Sequence, residues 1–176
     1  MTRILALSDT HLEGEELPVA VVRLAREADM ILHAGDFVSC EVYFALAELG
    51  RLEAVRGNSD LPALKKRLPE RRVIDVEGIR IGLVHTAFRG SDLVGAQMMA
   101  REMDAKVLVF GHIHRPVVEK GKRLLICPGS PTQPRMSAPS AAMLEITEGD
   151  IHGSIVQLGS PVCDYLKFAG ELVKKV

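Results

Sequence analysis

The stretch Arg3-Ile4-Leu5-Ala6-Leu7-Ser8-Asp9-Thr10-His11 decides the fold. Arg3 to Leu7 reads as a buried strand, and the polar residues that stop it fall just past its carboxyl end. Outward from it, Glu16 to Ala28 sets Leu17, Val21, Leu24, Ala25 and Ala28 on one helical stripe, and Met30 to His33 is apolar again. Glu41 to Leu49 returns to helix period, and Leu52 to Val55 gives a third strand. Strands separated by helical segments predict right-handed βαβ units and a parallel sheet. The second half changes character. Arg72 to Val76 and Ile79 to Val84 flank Glu77-Gly78, Arg123 to Ile126 follows Lys120-Gly121-Lys122, and Glu148-Gly149-Asp150 separates Ala142 to Ile146 from Ile151 to Leu158. Each of these is a hairpin signal. Asp92 to Met103 has helix period through Leu93, Ala96, Met99 and Ala100, and Lys106 to Phe110 is a further buried strand. Pro128 to Pro139 reads as an ordered loop, while the tail from Pro161 fits either a strand or a short amphipathic helix.

At 176 residues and 19.2 kDa the chain has the length of one domain spanning 1–176, large enough to fold without a disulfide or structural metal. Hydrophobic residues at 47% and charged residues at 26% lie near the globular average, which excludes a disordered or collagen-like chain. Twenty-two Lys+Arg against 23 Asp+Glu give a net charge of -1. No basic footprint for duplex nucleic acid or an anionic membrane surface is present, so a bound anion needs a local site. Cys40, Cys127 and Cys163 form an odd set without Cys-x-x-Cys spacing and read as reduced thiols of a cytoplasmic protein. No apolar run reaches the length of a signal-peptide core or a membrane span.

The polar residues fall in a pattern. Asp9 and His11 follow the first strand, Asp36 the second and Asn58 the third, while His85 ends the strand from Ile79 and His112 and His114 follow the strand from Lys106. Open α/β sheets place their ligand crevice at this carboxyl edge, where the loops converge. Carboxylate oxygen combined with neutral imidazole suits Mn, Fe, Zn or Ni, whereas an all-carboxylate set would suit Mg or Ca. Asp-x-His and His-x-His let one loop deliver two donors, and a single carboxylate such as Asp36 can bridge two ions, so a binuclear site is expected. With a bridging hydroxide its formal charge is about +1, which attracts an anionic ester.

Ser8-Asp9-Thr10-His11, Gly35-Asp36, Gly57-Asn58-Ser59-Asp60, His85 and Gly111-His112-Ile113-His114 stand in the order, and with the glycines, of the calcineurin-like metallophosphoesterases. Positions 3 to 135 resemble that family. The short length and Pro128-Gly129-Ser130 after the double-His motif resemble its small prokaryotic phosphodiesterase branch, to which the retromer cargo-sorting subunit is related. The resemblance implies a four-layer α-β-β-α sandwich with two mixed sheets. It implies that Asp9, His11, Asp36 and His114 hold one divalent ion and that Asp36, Asn58, His85 and His112 hold the other. Mn is expected, with Fe, Zn or Ni as alternatives. Asp36, Asn58 and His112 count as the catalytic residues, and a metal-bridging hydroxide attacks phosphorus in line without a covalent enzyme intermediate.

Three departures bear on substrate choice. Ser59 stands where many members carry a His that assists the leaving group, a role worth about 10²–10⁴-fold. Thr86-Ala87 follow His85 where many relatives read His-Gly-His, and Cys127 replaces an Asn common before Pro-Gly-Ser. Ser59, Ser130 and Arg135 are expected at the substrate, with Arg56 and Arg89 as further candidate guanidinium forks for phosphate; solvated surface is the alternative for each arginine and loop capping the alternative for Ser130. His33 and His152 read as structural, and Lys65-Lys66-Arg67 with Arg71-Arg72 as a solvated face. The expected function is hydrolysis of a small or nucleotide-type phosphodiester. The alternatives are a non-catalytic binding module on the same fold and a phosphomonoesterase, and a homo-oligomer is compatible with either.

Overall fold

The computed structural model describes residues 1–14, 16–87 and 93–160. The tail from Pro161, Cys163, Arg89 and the expected helix start at Asp92 lie outside the described residues. The elements are β1 (Thr2–Leu7), α1 (Val19–Glu27), β2 (Met30–His33), α2 (Cys40–Leu49), β3 (Leu52–Ala54), α3 (Pro62–Arg67) and β4 (Arg71–Val76). They continue with β5 (Ile79–Val84), α4 (Val94–Glu102), β6 (Val107–Phe110), β7 (Val117–Lys120), β8 (Leu124–Cys127), β9 (Ser140–Thr147) and β10 (Asp150–Gln157).

One sheet has the order β10-β9-β1-β2-β3 and the other β4-β5-β6-β8-β7. Both are mixed: β1, β2 and β3 run parallel with β9 and β10 antiparallel beside them, while β5, β6 and β8 run parallel between the antiparallel β4 and β7. The unbroken apolar runs follow from burial on both faces. In β1, Ile4 and Ala6 point between the sheets, while Leu5 and Leu7 meet Val21, Leu24, Val42 and Leu46 of α1 and α2. In β6, Val107 and Val109 face inward, while Leu108 and Phe110 pack with Ala96 and Ala100 of α4. Helices, sheet, sheet, helix is the expected four-layer sandwich.

Helix α1 starts at Val19 rather than Glu16. Pro18 is extended (φ −53°, ψ 135°) and biases Leu17 away from helical geometry. Helix α3 carries one fully buried apolar residue, Leu64, and so had no stripe to betray it. No helix among the described residues is long and apolar enough to cross a membrane.

Candidate metal centre

The loops after β1, β2, β3, β5, β6 and β8 meet at one edge of the sandwich. Asp9 N–H donates to Gly35 O (3.0 Å), His11 N–H to Asp36 O (3.1 Å) and Gly111 N–H to His85 O (3.0 Å), which laces neighbouring loops together. At Gly57 a Cβ would lie 2.1 Å from Asp36 Oδ1, and at Gly35 (φ +86°) it would lie 2.7 Å from Gly57 N, so these two positions have room only for glycine. Asp9 (φ 54°), His11 (42°), Asp36 (60°), His112 (76°) and His114 (56°) all hold left-handed backbone. Such conformations cost on the order of 1 kcal/mol or more each and gather at functional sites. Here they fall on five of the seven expected donors.

The side chains converge as the sequence pattern anticipates. The rings of His11 and His114 lie 4.8 Å apart and those of His85 and His112 5.2 Å apart, giving two imidazole pairs. Asp36 Oδ2 stands 3.3 Å from His11 Nε2 and 3.4 Å from His85 Nε2, one acceptor between the pairs. Asp9 Oδ1 lies 3.4 Å from His114 Nε2 and 3.9 Å from His11 Nε2. Asn58 Oδ1 lies 2.9 Å from both His85 Nε2 and His112 Nδ1. Donor atoms of Asp9, His11 and His114, and those of Asp9, Asp36 and His85, fall within 4.8 Å of one another.

The chemistry of this donor set fits divalent cations. His85 Nδ1 donates to Ala34 O (2.8 Å) and His114 Nδ1 to Gln133 O (2.6 Å). A carbonyl only accepts, so each Nδ1 carries a proton and each ring turns its Nε2 toward a carboxylate oxygen. Across those 3.4 Å gaps either a proton on Nε2 or a metal cation satisfies both groups, and a cation there would be held by nitrogen and oxygen together. His11 Nε2 is buried without a hydrogen bond, although Asp36 Oδ2 is near. Asp9 and Asp36 are themselves buried. Two buried carboxylates need counter-charge.

Burial raises the Asp9 carboxyl above its ordinary range, against the pull of His85 and His114. At Asp36 burial opposes ionisation, but His85 and two hydrogen bonds from Ser59 outweigh it and hold the carboxyl well below that range. Burial also opposes charge on His85, and Asp36 outweighs it, raising His85. Burial holds His11 and His112 below the usual imidazole range, so their lone pairs are free to ligate.

The remaining expected site residues divide. Ser59 is turned toward Asp36, donating its N–H to Oδ1 (2.7 Å) and its hydroxyl to Oδ2 (3.0 Å). Ser130 is fully buried, donating to Asp9 O (2.7 Å) and accepting from Gln133 N–H (2.8 Å), so it supports the Asp9 loop from inside. Arg135 is exposed and joins the site through its backbone N–H on His114 O (3.1 Å). Arg56 is paired with Glu70. His33 is wholly buried, held at Thr10 Oγ1 (2.7 Å) and stacked on Phe37, and burial pushes it down to about 3, which keeps it neutral. Burial pushes the Cys127 thiol up to about 12, which makes it inert. Sequence reasoning gave no role to Asp60, which accepts from Gly57 N–H (2.7 Å), Val38 N–H (2.9 Å) and Asp36 N–H (3.3 Å) and so clamps the β2 and β3 loops together. Its place two residues after Asn58, in a turn, was the available signal.

Residues 2–149 match the calcineurin-like phosphoesterase superfamily domain. A probable metallophosphoesterase of Methanothermobacter thermautotrophicus is 36% identical over 166 residues, which cover 92% of this chain and 96% of the relative. Among solved structures, Vps29 of Entamoeba histolytica complexed with zinc is similar in fold at a TM-score of 0.71 and 22% identity, covering 90% of this chain and 100% of that one. A structure described as a novel archaeal phosphodiesterase gives a TM-score of 0.65 and 20% identity, covering 88% and 100%.

Proposed function

The chain belongs to the calcineurin-like phosphoesterase superfamily, and from that premise we propose that it is a phosphodiesterase acting on small or nucleotide-type phosphodiesters with two divalent ions, Mn first among them. Asp9, His11 and His114 would hold one ion, Asn58, His85 and His112 the other, and Asp36 would be shared. The observation that carries this reading is the position of Asp36 Oδ2, 3.3 Å from His11 Nε2 and 3.4 Å from His85 Nε2, between one imidazole of each pair. When bound, such ions neutralise charge on the ester oxygens and make a water acidic enough to attack phosphorus at neutral pH.

The chain's own residues set orientation and specificity. Ala34 O and Gln133 O fix the imidazoles of His85 and His114, and the His112 N–H steadies Asp9 at 3.0 Å. The Ser59 hydroxyl spends its hydrogen on Asp36 and has no acidic proton for a departing alkoxide. Esters with good leaving groups are therefore favoured, since a missing general acid costs about 10²–10⁴-fold where the leaving group needs it. Free thiols at Cys40 and Cys127 support a reducing, cytoplasmic setting.

The test is steady-state hydrolysis of bis(4-nitrophenyl) phosphate and 4-nitrophenyl phosphate by Mn-loaded protein, beside Asp36→Asn and Asn58→Ala. The diester is expected to turn over faster, and both variants are expected to lose activity. No metal-dependent turnover of any ester by the wild type overturns the reading, and a metal content near zero per chain favours a binding module instead.

A further inference from the structure

A groove of about 440 Å³ opens beside the centre and shares Asn58 and His85 with it. That volume lies within the roughly 300–1,000 Å³ of small-molecule sites. Its lining also carries Arg56, Lys65 and Arg71, against the single carboxylate of Glu70. Lys65 Nζ donates to Asn58 O (2.7 Å), and among the described residues it has no carboxylate partner. Arg56 pairs with Glu70 and Arg71 with Glu102, but these carboxylates are 72% and 64% exposed. Pairs so open to water contribute little and exchange readily for a ligand anion. The basic run that reads in sequence as a solvated face thus places Lys65 and Arg71 in a concave surface next to the expected metal ligands.

The groove adjoins the centre at Asn58 and His85, so an ester whose phosphorus sits at the centre has room to extend one arm into it. A neutral arm gains no charge-assisted bond there, whereas a phosphoryl group matches the planar guanidinium forks. The chain's net charge of -1 gives no general attraction for anions, so the preference is local. We propose that the groove receives the second arm of the diester and selects substrates in which that arm bears a further phosphoryl group. This rests on the phosphodiesterase reading above.

The test uses Mn-loaded protein and isothermal titration calorimetry with thymidine 3′,5′-bisphosphate against thymidine 5′-monophosphate, which needs no turnover. The bisphosphate is expected to bind at least about tenfold more tightly, the scale of one or two charge-assisted bonds. The preference is expected to shrink to below about threefold in Arg71→Gln and to vanish in the Arg56→Gln/Arg71→Gln double variant. Thymidine 5′-(4-nitrophenyl phosphate) and its 3′-phosphorylated counterpart release the same phenolate and should show the same tenfold ratio in kcat/KM. Equal affinities in the wild type, or a preference that survives in the double variant, overturn the assignment. Failure of every ester to turn over strikes the phosphodiesterase reading, and calorimetry then still decides the groove.

Discussion

Between the sheets, Ile4, Leu32 and Val109 are fully buried and apolar, in ordinary extended backbone. A few residues further along the same three segments, Asp9, Asp36 and His112 hold left-handed backbone, and the first two are buried carboxylates. Neighbouring residues on one strand thus serve opposite ends: the interior supplies cohesion, and the strand-end edge gives some of it up to crowd like charges where cations can use them. Among the described residues left-handed backbone occurs in loops and turns, five times on the expected donors, and never within a strand between the sheets.

The contrast is tested hardest at Asp36. Asp36→Asn keeps a residue that tolerates left-handed backbone but removes the charge. Turnover of an aryl diester should fall by at least about 10³-fold, roughly 4 kcal/mol of barrier, while thermal unfolding in chelator shows only the small loss that follows from giving up the carboxylate's contacts with Ser59 and His85. A variant that melts well below the wild type without metal would make Asp36 a structural residue. Next in size is withdrawal of the ions: at about 1,000 times Kd, Mn should stabilise the wild type by roughly 4 kcal/mol. Chelation should then lower Tm by roughly 8–16 °C at this chain length, and an unchanged Tm would deny that counter-charge is needed. Leu32→Ala should destabilise by about 3 kcal/mol in urea titration and leave the metal count per chain unchanged, whereas loss of the ions would mean that interior and edge are not separable. The smallest effect is expected at Asp60→Ala, which frees the three backbone donors that aim the β2 and β3 loops. Mn affinity, read by titration, should weaken by about tenfold, and unchanged affinity would show that the loops aim themselves.

Where one residue's type already implies its surroundings, the sequence was readable. The apolar runs of β1, β2 and β6 are short and bounded by turn residues, which favours strands covered on both faces, and the Asp and His residues just past β1, β2, β5 and β6 made the expected donor set legible, whereas His33, the last residue of β2, is buried against Phe37. Partnership was harder. The antiparallel addition of β9 to β1 pairs Thr2 with Ile146, and no periodicity names a partner so distant. Direction was harder still. Ser130 points inward beneath Asp9, because loop backbone rather than residue type decides which way a side chain turns. Lys65 and Arg71 carry the same lesson in reverse, since charge alone did not say that their surface was concave.

Strand β1 has β2 on one side and β9 on the other. A ribosome adding about 5–20 residues per second leaves roughly 7–30 s between the emergence of β1 and that of its second neighbour. Throughout that interval an apolar ribbon has one bare flank, open to pairing with any other nascent chain. Translation stalled before position 140 should therefore yield polypeptides that clump or are held by chaperones, and completion of β9 is the event that makes the product safe to release.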